Sequence, residues 1–366
     1  MTNPQLQLNE STRTQICFSI HFTAVFCNST CTALSVAQYT GSAGQASEGS
    51  QDVNRRDFNR LGAAALLGQI SVNALAESFD YPWNLGIITD QVDLDLSRVL
   101  SSFYPMYQLH WAEIRYLNFA RKKRYVYSDA TPDQLKQVRR QLDGAGVRLS
   151  VLDTAVYKIA LPGTTPIGES PAYVNPAQDD FGRQMDDLKR AADAAHALGA
   201  KRIRIFTFRR IAEPAAIFDR VVEEVERAIG VAKQQDITLL VENEYDCNIG
   251  TGAETARLFK AIPDRRLMHN WDPCNAYEMG EEPFPTTWDQ LDHSRISHIH
   301  LKDAAGKDWK PIGAGKIDFA GQFRALKRMN YSGTLSLETR YKAARQDQYA
   351  SSVESMNGLL SVLKNV

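Results

Sequence analysis

Four side chains of the kind that bind divalent cations recur through the second half of this 366-residue chain: Glu242, Asp272, His300 and Glu338. Each sits in a short apolar run (LLVE, HNWD, HIHL, LSLE), at successive separations of 30, 28 and 38 residues. Three carboxylates and one imidazole brought to a single point would repel one another unless a cation lay between them. Oxygen-rich ligation with one nitrogen and no thiolate suits Mn²⁺, Mg²⁺ or Co²⁺ best, admits Zn²⁺ or Fe²⁺, and leaves coordination positions for substrate oxygens.

Such residues meet only if something delivers them to one place. From residue 83 onward, short apolar runs alternate with longer segments of helical period, the pattern of repeated βα units. Eight strands are expected, at 83–89, 110–116, 147–153, 201–207, 237–242, 267–272, 296–301 and 333–338. Eight tandem units over about 280 residues match a closed (β/α)8 TIM barrel, whose active sites lie at the carboxyl ends of the strands. All four candidate ligands fall at such ends. Strand alternation puts Thr334, Ser336 and Glu338 on the inner face, likewise Thr238, Leu240 and Glu242, Asn270 with Asp272, and His298 with His300. His298 lies one layer deeper than His300, where it would act by orienting His300 or a carboxylate.

The helices are signalled as clearly. Thr131, Pro132 and Asp133 supply an N-cap, a first-turn proline and a first-turn acid ahead of Leu135, Val138 and Leu142, with a stop at Gly144 or Gly146. A second helix over about 177–198 carries Phe181, Met185, Leu188, Ala192, Ala195 and Leu198 on one face and ends at Gly199. A third, Ala215 to Lys233, turns Ile217, Val221, Val225, Ala228 and Ala232 inward. An open doubly wound sheet is disfavoured: no G-x-G-x-x-G and no P-loop follows any strand, so a nucleotide cofactor is not indicated.

With 42 basic against 43 acidic residues the net charge is −1, which offers no field for gripping a phosphate backbone. Five cysteines are too few for a disulfide scaffold, and Cys17, Cys27 and Cys31 fall in the first tenth of the chain. Residues 1–53 read as a low-complexity or untranslated extension. Residues 54–76 resemble a twin-arginine export signal, with Arg55-Arg56, a moderately apolar stretch and the small-x-small triplet Ala74-Leu75-Ala76. The barrel is therefore assigned to 77–366, with export to the periplasm, or a cytoplasmic location if the signal is not used. No stable membrane span remains once the signal is removed. The first 76 residues carry four basic and four acidic residues, so the remainder still balances, with 38 against 39.

The segments LLVENEY at Glu242, WDPCNAY (271–277), HIHLKD (298–303), PIGAGKIDF (311–319) and LSLETRY (335–341) resemble the xylose isomerase-like barrel superfamily, the sugar phosphate isomerase/epimerase group. The resemblance covers residues 83–364. It implies that Glu242, Asp272, His300 and Glu338 hold one Mn²⁺-type ion, with Glu242 and Glu338 flanking a sugar as an acid/base pair. The implied chemistry is proton abstraction beside a carbonyl to give an ene-diolate. Proton return at another atom isomerises and return on the other face epimerises, whereas loss of a β-substituent makes the enzyme a dehydratase or lyase. Asn275 departs from the pattern, since several epimerases have a histidine three residues after the aspartate. Apurinic endonucleases share the fold but need a histidine-rich three-zinc cluster, which His110, His196, His269, His293, His298 and His300 do not supply.

Export favours a neutral sugar, keto-sugar, inositol or glycoside derivative over a sugar phosphate. Asn275, Lys302, Arg340 and Trp309 are the candidate substrate contacts, and Arg209 and Arg210 are further rim cations able to bind an anion. The stretches 154–176 and 273–287 read as lids, with Tyr157 and Tyr277 as possible stacking partners for a sugar ring. Cys247 and Cys274, near the tips of neighbouring strands, are the one candidate disulfide. The chain is expected to act on a small molecule, with no nucleic-acid partner and with a homo-oligomer left open. A non-catalytic carbohydrate-binding barrel is the competing class, disfavoured because both glutamates are present.

Overall fold

The computed structural model describes residues 81–168, 180–343 and 347–366; the extension 1–53 and the twin-arginine-type segment 54–76 lie outside the described residues. Among the described residues twelve strands follow in chain order: β1 (Asn84–Ile88), β2 (Trp111–Ile114), β3 (Tyr116–Phe119), β4 (Lys122–Tyr125), β5 (Arg148–Asp153), β6 (Arg202–Ile205), β7 (Thr238–Glu242), β8 (Leu267–Trp271), β9 (Ile296–Leu301), β10 (Asp303–Ala305), β11 (Asp308–Lys310) and β12 (Thr334–Leu337). Eight of them close a parallel barrel in the order β1-β12-β9-β8-β7-β6-β5-β2. These are the eight strands expected from the sequence, each within a few residues of its expected limits. Two antiparallel hairpins, β3–β4 and β10–β11, were not anticipated.

Closure sets a steric condition at β1. Gly86 sits between Ser336 of β12 and Trp111 of β2, and a Cβ there would lie 2.6 Å from the Trp111 carbonyl oxygen. Only glycine lets these backbones approach at that register.

Helices form over the capped and striped segments, although the second, expected from about 177, begins only at Gln184, after a 3-10 turn at Phe181–Arg183 capped by Asp180. Pro132–Gly144 opens on a reciprocal capping box, with Gln134 N donating to Thr131 Oγ1 at 3.3 Å and Thr131 N to Gln134 Oε1 at 2.8 Å. Its Leu135, Val138 and Leu142 are buried against the barrel. Gln184–Ala197 and Phe218–Gln234 bury the expected faces, including Leu188, Ala192 and Ala195 in the first and Val221, Val225, Ala228 and Ala232 in the second. Among the described residues no helix is long and apolar enough to cross a membrane.

Candidate metal centre

Alternation in the barrel wall separates two interiors. Residues facing outward, such as Leu239, Val241, Leu335 and Leu337, pack under the helices, while the axis is filled by polar and charged groups. In β8, His269 and Trp271 face outward, and Asn270 faces the axis. Burial pushes the His269 imidazole down to about 3, so it stays neutral, with Nε2 3.3 Å from Asn243 Oδ1.

At the carboxyl rim one ligand atom from each of Glu242, Asp272, His300 and Glu338 lies within 4.8 Å of the others, and all four side chains are buried. Glu242 ends β7 and His300 lies near the end of β9, while Asp272 and Glu338 stand one residue beyond β8 and β12. Asp272 is divided in function. Its Oδ1 caps the helix Pro273–Glu278 by accepting from Cys274 N at 2.8 Å and Asn275 N at 3.0 Å, which leaves Oδ2 facing the centre. Asn243 fixes this turn, donating to the Asp272 carbonyl at 2.9 Å and accepting from the Asp272 amide at 2.8 Å.

The donors are oriented by a ring of buried partners. His300 Nδ1 lies 3.1 Å from Glu242 Oε1 and 3.9 Å from both Asp272 Oδ2 and Glu338 Oε2. Glu242 Oε2 meets Arg204 Nη1 at 2.7 Å, and Arg204 Nη2 lies 3.4 Å from Asp153 Oδ2. Glu338 is approached by Arg115 Nη1 at 3.4 Å and by Lys302 Nζ at 3.1 Å. Burial opposes ionisation of Glu242 and Glu338, but His300 and Arg204 at the first and Lys302 and Arg340 at the second hold both well below the usual carboxylate range. Asp272 behaves otherwise. Burial pushes its carboxyl up, and Lys302 at 2.8 Å does not cancel this against Glu242 and Glu338. Three crowded carboxylates, one of which resists ionisation, together with an imidazole, are a donor set that fits a divalent cation.

The expected substrate contacts cluster beside this centre. Asn275 donates to Glu242 Oε1 at 3.2 Å and accepts from Lys302 Nζ at 3.0 Å. The Trp309 ring lies 5.7 Å from the Lys302 ammonium and 5.8 Å from the Arg340 guanidinium, so these three meet at the mouth. His298 does contact a carboxylate, as expected of it, with Nε2 2.9 Å from Glu113 Oε2. Arg210 is used structurally, forming a bidentate pair with Glu254 at 2.7 and 3.0 Å.

Several expectations need correction. The start of the stretch 273–287 is packed in: Cys274, Asn275 and Ala276 are fully buried in the helix Pro273–Glu278, which Asp272 caps. In 154–168 the backbone is pinned to the strand that follows, with Val156, Tyr157 and Ile159 carbonyls accepting from Phe206, Phe208 and Arg209 amides at 2.8–3.0 Å; residues 169–179 lie outside the described residues. Tyr157 is fully buried against Phe208 and donates to the Glu224 carbonyl at 2.7 Å, so it anchors the loop and does not face a sugar. Tyr277 accepts from Gly306 N at 2.9 Å and fastens the β10–β11 hairpin. Cys247 and Cys274 are both free thiols.

The glycine-rich PIGAGKIDF segment serves an internal purpose. The Asp303 carboxylate accepts from the amides of Ala304, Gly313 and Gly315 at 2.9–3.0 Å, and more weakly from Ile317 at 3.4 Å. A Cβ on Gly315 would lie 1.9 Å from Asp303 Oδ1. A backbone nest of the kind that elsewhere cradles phosphate is filled here by the residue next to Lys302.

Sequence reasoning missed Glu113, Arg115, Asp153 and Arg204, all buried on the axis. A signal existed: Glu113 and Arg204 interrupt apolar strands, and in a closed barrel such a charge faces the axis and needs a partner.

A closed parallel barrel with a buried cluster of side chains able to hold a metal ion at its carboxyl rim defines the class, a (β/α)8 TIM barrel. Residues 111–359 match the family described as xylose isomerase-like TIM barrel, and the chain belongs to that family. Solved structures share the fold. An IolI protein with a bound zinc atom has a TM-score of 0.60 at 14% identity, over 77% of this chain and 98% of that one. A D-tagatose 3-epimerase-like protein gives 0.54 at 18% identity, over 77% and 99%. The probable 3-DHS dehydratase AsbF from Bacillus anthracis gives 0.53 at 14% identity, over 77% and 98%. No curated protein matches the sequence.

Proposed function

We propose that the chain is a divalent-metal-dependent isomerase or epimerase that moves a proton on a sugar or keto-sugar through an ene-diolate. The observation that carries this reading is the convergence of Glu242, Asp272, His300 and Glu338 at one buried point of the rim. These four residues would hold the ion, which would polarise a carbonyl oxygen and its neighbouring hydroxyl. The zinc atom bound in the IolI structure supports a divalent metal here, with Mn²⁺ the expected occupant. Glu242 and Glu338 are both held ionised, so either can take the proton from carbon; the glutamate that took it returns it in an isomerisation, whereas return on the opposite face, as in an epimerisation, uses the other only after that carboxylate has taken up a proton from solvent. Lys302, Arg340, Trp309 and Asn275 are placed to meet hydroxyls and one face of the sugar.

Asn275 favours a second reading on the same site. Its amide cannot exchange a proton, where several epimerases carry a histidine, so a dehydratase or lyase that expels a β-substituent from the same ene-diolate is the alternative. Incubation with candidate ketoses in D₂O, with Mn²⁺ and then with chelator, separates the cases by NMR. Metal-dependent deuterium incorporation with isomeric products supports the first reading, and an unsaturated product the second. No exchange into any sugar that binds would leave a carbohydrate-binding barrel.

The domain 77–366 is proposed to be the mature protein, exported by the twin-arginine-type segment 54–76 and cut after Ala76. Amino-terminal sequencing of the protein from a periplasmic fraction tests this, and a chain starting upstream of Arg55 would refute it.

A further inference from the structure

We propose that Glu113 is a positioning residue of the centre: its carboxylate grips His300 at Nε2 and so turns Nδ1 toward Glu242, Asp272 and Glu338. The inference rests on the metal-centre reading above and concerns a residue outside the four donors. Glu113 Oε1 lies 2.9 Å from His300 Nε2, and Glu113 Oε2 lies 2.9 Å from His298 Nε2. All three side chains are fully buried.

An ionised carboxylate only accepts, so it can hold both rings only if each carries a proton on Nε2. His298 bears this out geometrically. Its Nδ1 has no hydrogen-bond partner among the described residues, as expected of a ring whose single proton is on the other nitrogen. The same Nε2–H at His300 makes Nδ1 the nitrogen that faces the three donor carboxylates, at 3.1, 3.9 and 3.9 Å, and so the one that a metal would take in place of a proton. Asn270 does not make the choice, because its Nδ2 lies 3.3 Å from both nitrogens of the His300 ring.

Two contacts, one on each oxygen, keep the Glu113 carboxylate from rotating, and His298 is the counter-anchor. The backbone is shaped to the task. The β2–β5 register shifts between Ala112 and Glu113, and the Ser150 hydroxyl donates to the Ala112 carbonyl at 2.8 Å. The extra residue of that shift is Ser150 on β5; β2 itself keeps regular register with β1, from Gly86–Trp111 to Ile88–Glu113, so plain alternation turns Glu113 into the barrel axis. A metal-ligating histidine held by a carboxylate on its second nitrogen is fixed in tautomer and made a better donor.

The test begins with the wild-type protein, labelled with ¹⁵N-histidine and loaded with Zn²⁺. Two-bond proton–nitrogen correlations are expected to show Nε2 protonated on His298 and His300, with metal on His300 Nδ1; a proton on His300 Nδ1 would overturn the inference. In parallel, E113Q and E113D are expected to weaken Mn²⁺ binding by about 10- to 100-fold in calorimetry and to change the visible spectrum of the Co²⁺-loaded protein. Folded variants with wild-type affinity and spectrum would also overturn it. If neither variant folds, the wild-type tautomers still decide. A wild-type protein that binds no metal under any loading overturns the metal-centre reading itself, which is a different failure from metal binding that ignores Glu113.

Discussion

Arg204 and Glu242 face each other from adjacent strands, Nη1 2.7 Å from Oε2, and both are almost wholly removed from water. Arg204 also donates to the Thr154 carbonyl at 3.1 Å and approaches Asp153 at 3.4 Å, so one guanidinium holds a proposed metal ligand, a strand end and a second carboxylate. Removing one partner of such a pair leaves a buried charge uncompensated, at a cost of about 3–5 kcal/mol. Arg204→Met is therefore expected to lower the urea midpoint sharply, and Mn²⁺ to restore part of the loss by supplying a cation to Glu242. Arg204→Lys keeps the charge but not the planar fork, and is expected to fall between. Wild-type stability in Arg204→Met would show that the pair carries no weight.

The proposed metal is countable. Purified residues 77–366, prepared without chelator, are expected to carry about one equivalent of a divalent metal, and Glu338→Gln less, because one donor and one charge are gone. About three equivalents of zinc would instead support a nuclease-type site.

The parts of this architecture that were legible in the sequence are those set by local pattern. The eight barrel strands, the N-cap at Thr131 and the position of the four rim side chains follow from alternation, capping and βα spacing; the reciprocal bond from Gln134 does not. The supporting residues do not. Glu113 meets His300 across 187 positions, and nothing local to HWAEIRY names its partner. The β3–β4 hairpin was hidden for another reason: its turn uses Ala120 and Arg121 at φ 52° and 62°, a conformation usually announced by Asn or Gly. Likewise, prolines and glycines in 154–168 and 273–287 mark irregular backbone but say nothing of how firmly it is pinned.

Asp303 and Gly315 give a prediction about architecture alone. Gly315→Ala drives a methyl into the Asp303 carboxylate, and Asp303→Ala strands several backbone amides. Each is expected to cost about 1–3 kcal/mol, read as a lower thermal midpoint. Because Asp303 adjoins Lys302, binding of the proposed sugar should weaken in both variants even where they remain folded. An unchanged midpoint in Gly315→Ala would mean that the loop has room this geometry denies it.

Cys247 and Cys274 are the only cysteines in residues 77–366, and both are free and buried. Burial pushes both thiols up, so neither is primed as a thiolate. Thiol counting on the denatured domain is expected to give two per chain with or without prior reduction, and almost none before denaturation. A count that rises on reduction would reinstate the disulfide.

The pH dependence of metal binding follows from His300. Burial disfavours its charged form, but Glu113 and Glu242 outweigh that and hold its pKa well above the ordinary imidazole value. In chelated protein the ring is then an imidazolium at neutral pH, and a cation can take Nδ1 only by displacing its proton. Metal affinity should therefore rise with pH, by up to tenfold per unit below the folded pKa, with about one proton released per ion. Stability of the chelated protein runs the other way. A raised histidine pKa contributes stability that is complete below the unfolded value of about 6.5 and is lost as pH climbs through the folded value. Mn²⁺ titrations in buffers of different ionisation enthalpy measure the proton count directly. Binding that releases no proton, with affinity flat from pH 6 to 8, would mean that His300 is neutral beforehand and that Glu113 and Glu242 do not charge it.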